Sequence, residues 1–330
     1  MAKPYLSLNE QVTLLRKRGL TIADETFTKN ALSEFGYYEI VNGYKGPFII
    51  DDEHFIPGTT FEQIFYLFMF DQILRDGVQS SSVIFELQLR QSLARAFSIV
   101  YSERQEEYFK LENYAKSKKQ ETLNTNFKKI HKIVSLNDQP FKHYREDHGN
   151  VPPWIMIKGM TFGDLKRFYL LQKPDVKKIV MATMLRGAFL LPENLEKSTV
   201  FFSEMLGLIG KYRNRAAHGG RMYNYLPKID GKEAIISYFP LFHSNFKTSS
   251  ALYRQGYGSN GIGTLIHILQ AVPFERASNG LLNSVNEALE LLSKTNFDKV
   301  RMVTDEMHIL TDEINIHPSL LQSPDKYTSK

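Results

Sequence analysis

The amino-acid sequence predicts a mainly α-helical protein. Apolar residues recur at spacings of three and four over most of its 330 residues. Proline falls between those periodic stretches, and extended runs are confined to two short segments around an Asp-Gly pair. With 42% hydrophobic and 23% charged residues, the chain has ample apolar material for one large or two modest domains.

Residues 1–60 read as a small N-terminal helical unit. Leu8, Val12 and Leu15 mark a first helix, and a second runs from Asp24, its N-cap, toward Phe35. Tyr37, Tyr38 and Tyr44 follow and read as core or turn aromatics before a base-stacking platform. Residues 61–330 read as one helical domain with a linker-like break near 137–153. Phe61, Ile64, Phe65, Phe68, Ile73 and Leu74 make one apolar face, with Asp71, Arg75 and Asp76 placed elsewhere. Ser80-Ser81-Ser82 reads as a cap signal opening a new helix, Val83 to Val100, on which Glu86 and Arg90 sit four apart as a natural ion pair. Further helices are expected over Glu103 to Tyr114, Gln120 to Val134, Asp164 to Gln172, Asp175 to Leu185, Ser198 to His218, Thr264 to Ala271, Leu281 to Leu292 and Asp298 to Leu310. Gly219-Gly220 ends the one from Ser198. Beyond it, Met222 to Leu226 and Ala234 to Phe239 predict a short β-hairpin around Asp230-Gly231. Gly256 to Gly263 reads as a connector, because it lacks the preceding strand and the Gly-Lys-Ser/Thr ending of a phosphate loop.

Composition removes several classes of chemistry. The chain has no cysteine, which excludes disulfides, thiolate metal sites and thiol nucleophiles. It has no secretory apolar run near the N-terminus, and its most apolar stretch is cut by Asp71, short of the ~20 residues a membrane span needs. A cytoplasmic protein with no membrane partner is expected. Its net charge of +5 leans toward a polyanionic partner without identifying one. The lysine-rich stretch Lys116 to Lys132 reads as a solvated helix face, with contact to an RNA backbone as the alternative. His131, His143 and His148 with Glu146 and Asp147 do not fall at ligand spacing, so no metal or other cofactor is expected.

The densest polar cluster closes the helix from Ser198: Lys211, Arg213, Asn214, Arg215, His218, Arg221, Tyr223 and Asn224. Arg213 and His218 are separated by four residues. An Arg with four to six residues before His arises about once by chance at this composition, and a second instance exists at Arg301 and His308. Context separates them. Asp305, Glu306, Asp312 and Glu313 surround His308, whereas Arg213, Arg215 and Arg221 surround His218, which suits a phosphate. On a regular helix Asn214 and His218 share a face, while Arg213 lies about 140° round and roughly 7.5 Å along from His218. A two-fold dimer would repair that loose spacing by bringing two helix ends to one phosphodiester. Such a site needs no metal if the substrate carries its own nucleophile, as the RNA 2′-OH does. The plainer reading, a capping histidine beside a solvated arginine, stands next to this one.

Several short segments in order resemble the Abi-like family of abortive-infection proteins, the AbiD/AbiF type within the HEPN superfamily. They are Leu14-Leu15 with Arg18-Gly19-Leu20, Gly36-Tyr37-Tyr38 with Asn42-Gly43-Tyr44, Gly58-Thr59-Thr60-Phe61, and Phe70-Asp71 with Leu74-Arg75. Glu86 with Leu89-Arg90, Pro153-Trp154 with Met160-Thr161-Phe162-Gly163, and Arg213-Asn214 through His218 to Arg221, Tyr223 and Asn224 complete the series. The resemblance implies a HEPN-like helical bundle. It implies a metal-independent endoribonuclease toxin of phage defence or a toxin–antitoxin system, a homodimer, in some members restrained by a small non-coding RNA antitoxin. Carried onto this chain, it makes Arg213, Asn214 and His218 catalytic and Glu86 a support for Arg213. Lys211, Arg215, Arg221, Tyr223 and Asn224 become RNA contacts. The alternative is a non-catalytic RNA-binding protein that uses the same basic helix end.

Overall fold

The structure is a computed structural model and describes residues 5–116, 120–228, 231 and 235–310. Among these, the helices in chain order are α1 (Leu8–Lys17), α2 (Glu25–Phe35), α3 (Phe61–Val100), α4 (Gln120–Val134), α5 (Phe141–Asp147), α6 (Pro153–Met156) and α7 (Phe162–Leu171). Then come α8 (Pro174–Met184), α9 (Leu195–Ala217), α10 (Pro240–Asn245), α11 (Ser250–Arg254), α12 (Ile262–Gln270), α13 (Arg276–Ser293) and α14 (Phe297–Glu306). The protein is mainly α, and strand pairing among the described residues is limited to three isolated bridges. No helix among the described residues is long and apolar enough to cross a membrane.

The chain forms two compact units. The first holds residues 5–77, 219–225 and 282–310, and the second holds 78–218 and 226–281. The described part of residues 1–60 therefore falls inside the first.

In the first unit, α1 opens on a capping box in which Ser7 N–H donates to Glu10 Oε2 at 2.7 Å while the Ser7 hydroxyl accepts from Glu10 N–H. It packs against α2, whose N-cap Asp24 accepts from Phe27 N–H at 2.8 Å. The opening stretch of α3 then meets a cluster of rings, Phe27, Phe35 and Tyr44 against Phe61, Phe65 and Phe68. Within this core lies Asp71, which the charge pattern of the sequence places outside. It is fully buried, and it is tolerated because donors surround it. Tyr44 donates its hydroxyl at 2.7 Å, and the N–H groups of Met222 and Tyr223 donate at 2.9 and 2.8 Å. Burial pushes its carboxyl above the ordinary value, and these donors together with Arg75 pull against that rise.

The same contacts correct the expected hairpin. Of Met222 to Leu226, two N–H groups are taken by Asp71 and the next bond is a turn, Tyr225 N–H to Met222 C=O at 3.0 Å. In the second run Ile236 donates to Ser259 C=O at 3.0 Å and Ser237 donates to Glu204 at 2.9 Å, and none of the three bridges among the described residues falls in either run. Asp230 and Ala234 lie outside the described residues.

In the second unit α9 is central, packing on α7, α8 and α12. Its buried stripe runs Phe201, Met205, Leu208, Ile209, Tyr212 and Ala216, the period read from sequence. Two expectations fail here. Ser80-Ser81-Ser82 caps nothing, and α3 runs unbroken through it with Ser81 and Ser82 buried. Serine costs a helix interior only about 0.5 kcal/mol, too little to halt a helix whose buried face continues through Val78, Phe85, Leu89 and Leu93. The segment 103–114 forms two short 3₁₀ turns instead of a helix. Asn113 donates its side-chain amide to Glu107 C=O, Tyr114 its hydroxyl to Tyr108 C=O and Tyr108 its own to Val151 C=O, bonds that compete with a helical ladder. The linker-like break near 137–153 contains α5.

Candidate active site

The last two turns of α9 face three ways. Tyr212 and Ala216 point into the core, and the Tyr212 hydroxyl donates to Asn260 C=O at 2.9 Å, which fixes the rotation of the helix end. Asn214 and His218, four apart, are exposed together with Lys211. Arg213 lies half-buried and turns toward α3.

The helix stops at His218. Its N–H still reaches Asn214 C=O at 3.2 Å, and Gly219 takes φ +69°, a left-handed conformation that closes helices and favours glycine. The imidazole of His218 makes no hydrogen bond or ion pair among the described residues. The residue is exposed, and an imidazole can donate or accept a proton through its ring nitrogens.

Arg213 is held from behind. Glu86 on α3, 8% exposed, brings Oε2 to 3.5 Å from Arg213 Nε, an ion pair too long for a hydrogen bond. Its other oxygen accepts from Arg90. Arg90 is itself anchored, since its guanidinium donates to the carbonyls of Ile157, Lys158 and Met160 in the loop before α7. The chain of contacts thus runs from a loop backbone through Arg90 and Glu86 to Arg213. One carboxylate facing two guanidiniums leaves a surplus positive charge, and no further polar contact of Arg213 occurs among the described residues. That is a geometry able to receive an anion.

The remaining candidates are divided. Lys211 is exposed and Arg215 half-buried with interactions of its own, both on α9. Arg221, Tyr223 and Asn224 belong to the first unit. There Arg221 donates to Asn224 Oδ1 at 2.9 Å and to Gly43 C=O at 2.6 Å, and its guanidinium lies 5.6 Å from the Tyr223 ring centre. Tyr223 is 2% exposed, packed against the rings of Tyr44 and Phe70, and so is a core residue with no face open to a base. Arg90 and Tyr212 are the residues the sequence reading leaves without a role at the site. Glu86 and Arg90 carried a signal, their four-residue spacing, but it identifies a pair and not a third member. No group of three His, Asp or Glu side chains able to hold a metal ion occurs among the described residues.

Comparison with known proteins adds one result. A family model described as Abi-like protein matches residues 30–224, more than half of the chain, and takes in Glu86, Arg90, Arg213, Asn214 and His218. No curated protein and no solved structure matches. With the match spanning both α3 and the end of α9, the chain belongs to the Abi-like protein family, the proteins of abortive infection in phage defence.

Proposed function

We propose that the protein is a metal-independent endoribonuclease toxin whose site is built from Arg213, Asn214 and His218. The observation that carries this reading is the contrast at one helix end: an imidazole left open to solvent, five residues after a guanidinium held in place by a buried carboxylate. A merely solvated arginine would need no such support.

The chemistry follows from those groups. The RNA 2′-oxygen attacks the adjacent phosphorus in line, the bond from phosphorus to the 5′-oxygen breaks, and a 2′,3′-cyclic phosphate remains. One proton must leave the 2′-OH and one must reach the departing 5′-oxygen, both tasks suited to imidazole. Arg213 faces the charge that builds on the phosphoryl oxygens, and Asn214 shares the exposed face with His218 to orient the substrate. A single helix end offers one histidine. Two copies about a two-fold axis supply a base and an acid, with Arg213 of each flanking the phosphate. DNA, lacking the 2′-OH, is not a substrate.

The test is sequencing of RNA ends after brief induction of the wild type and of His218→Ala. Wild-type protein should yield cyclic-phosphate ends, cleavage should persist in EDTA, and His218→Ala or Arg213→Ala should lower it by about 10²- to 10⁴-fold. His308→Ala should leave it in place. Metal-dependent cutting, or ends bearing a 5′-phosphate, would sink the mechanism. Loss of RNA binding in Arg213→Ala with full function in His218→Ala would favour the non-catalytic RNA-binding alternative.

A further inference from the structure

The second unit carries a cavity of about 440 Å³ whose chemistry the proposed site does not use. Lys166 and Arg167 of α7 and Lys116, just after the bridge at Tyr114, supply its charge, Thr122 of α4 a hydroxyl, and Leu170 and Leu171 an apolar wall. No carboxylate lines it among the described residues. The nearest acid on α7, Asp164, is turned inward and engaged: it accepts from Thr161 N–H and hydroxyl at 3.0 and 2.8 Å and pairs with Lys129 at 3.2 Å and Arg167 at 3.1 Å. Among the described residues that line the cavity, the charged side chains are all cationic. On α7 each cation has a leucine four residues on, Lys166 with Leu170 and Arg167 with Leu171, and this alternation of cation and aliphatic surface, Leu170 being 41% exposed, matches a phosphate joined to a sugar and base.

The position of α7 connects this cavity to α9. Phe162, its first residue, packs on α9 at Gly210, where a Cβ would stand 3.1 Å from the ring. Gly210 precedes Arg213 by less than one turn. Gly163, next after Phe162, already lines the cavity, and the loop just before α7 is the one that anchors Arg90 and through it Glu86 and Arg213. We propose that this cavity binds a backbone phosphate of the RNA strand flanking the scissile bond, with the ribose or base against Leu170 and Leu171. The inference rests on the ribonuclease reading and names a subsite for that substrate.

The experiment measures binding of a fluorescent single-stranded RNA over a salt series, in the His218→Ala background to prevent cleavage. Adding Lys116→Ala and Lys166→Ala should weaken binding about tenfold and reduce the salt slope by about 0.7, the value for one phosphate contact on a single strand. Lys116→Glu alone, an exposed position that packs against nothing in the core, should weaken binding in the same direction. A control that removes the same charge elsewhere, Lys178→Ala with Lys197→Ala, should match the parent. Affinity and slope equal to the control would overturn the subsite while leaving His218-dependent cleavage untouched. Saturable binding of free ATP at the cavity, with an unchanged RNA slope, would replace the strand with a free nucleotide and overturn it as well. Failure of the ribonuclease reading shows separately, as cleavage that survives His218→Ala.

Discussion

Asp71 and Glu86 are two carboxylates on one helix, each facing an arginine four residues on, and they do different work. Asp71 has no exposure and accepts from two backbone N–H groups and a tyrosine hydroxyl, with Arg75 no closer than 3.6 Å. Glu86 lies nearer the surface, and its partners are two guanidiniums, one tied to a loop and one half-buried at the end of α9. The donor type decides the role. Amide donors cannot move without moving the chain, so Asp71 acts as a structural staple; a guanidinium on a long stem can be aimed, so Glu86 acts as a positioning group for what Arg213 meets.

The comparison is broken most directly at Asp71. Asp71→Ala leaves the amides of Met222 and Tyr223 and the Tyr44 hydroxyl without an acceptor in the core, and should lower stability by roughly 3–5 kcal/mol. Urea unfolding measures this, and a midpoint equal to the wild type would refute the staple. Glu86→Gln keeps shape and removes charge. RNA cleavage should fall about tenfold to a hundredfold, as expected when a catalytic group is slightly misplaced, while stability drops by only ~1 kcal/mol. A variant as unstable as Asp71→Ala, or one of unchanged activity, would erase the distinction between the two carboxylates. Gly159→Ala acts one step further back. The added methyl would meet Ile133 Cγ2 at 2.6 Å, displacing the loop that holds Arg90. A destabilisation of ~1–2 kcal/mol and a cleavage loss smaller than that of Glu86→Gln are expected, and the second is the sharper check, because a loop with no part in positioning would leave the rate unchanged.

Most of the fold was legible because period and caps agree in it. The Asp24 cap and the α9 stripe from Phe201 to Ala216 could be read in full from spacing. Legibility ended where a default assumption was wrong. Charges are taken as exposed, which hid Asp71; serine clusters are taken as caps, which split α3; and an Asp-Gly pair is taken as a hairpin turn, which hid the capture of the Met222 and Tyr223 amides. At the candidate site, the Arg213 to His218 spacing is visible in the sequence, but the three carbonyls that seat Arg90 come from 67 to 70 residues later, and no local pattern encodes them.

The Asp71 staple also bears on how these proteins diverge. It grips residues 222 and 223 by amides, groups that every residue except proline carries, so it places no demand on side-chain identity at either position. A change of partner cannot compensate for loss of the carboxylate, and a change of the carboxylate cannot be answered by a new side chain. Across Abi-like sequences this contact should therefore leave no covarying pair, and its trace should be one fixed acid opposite two positions from which proline alone is barred.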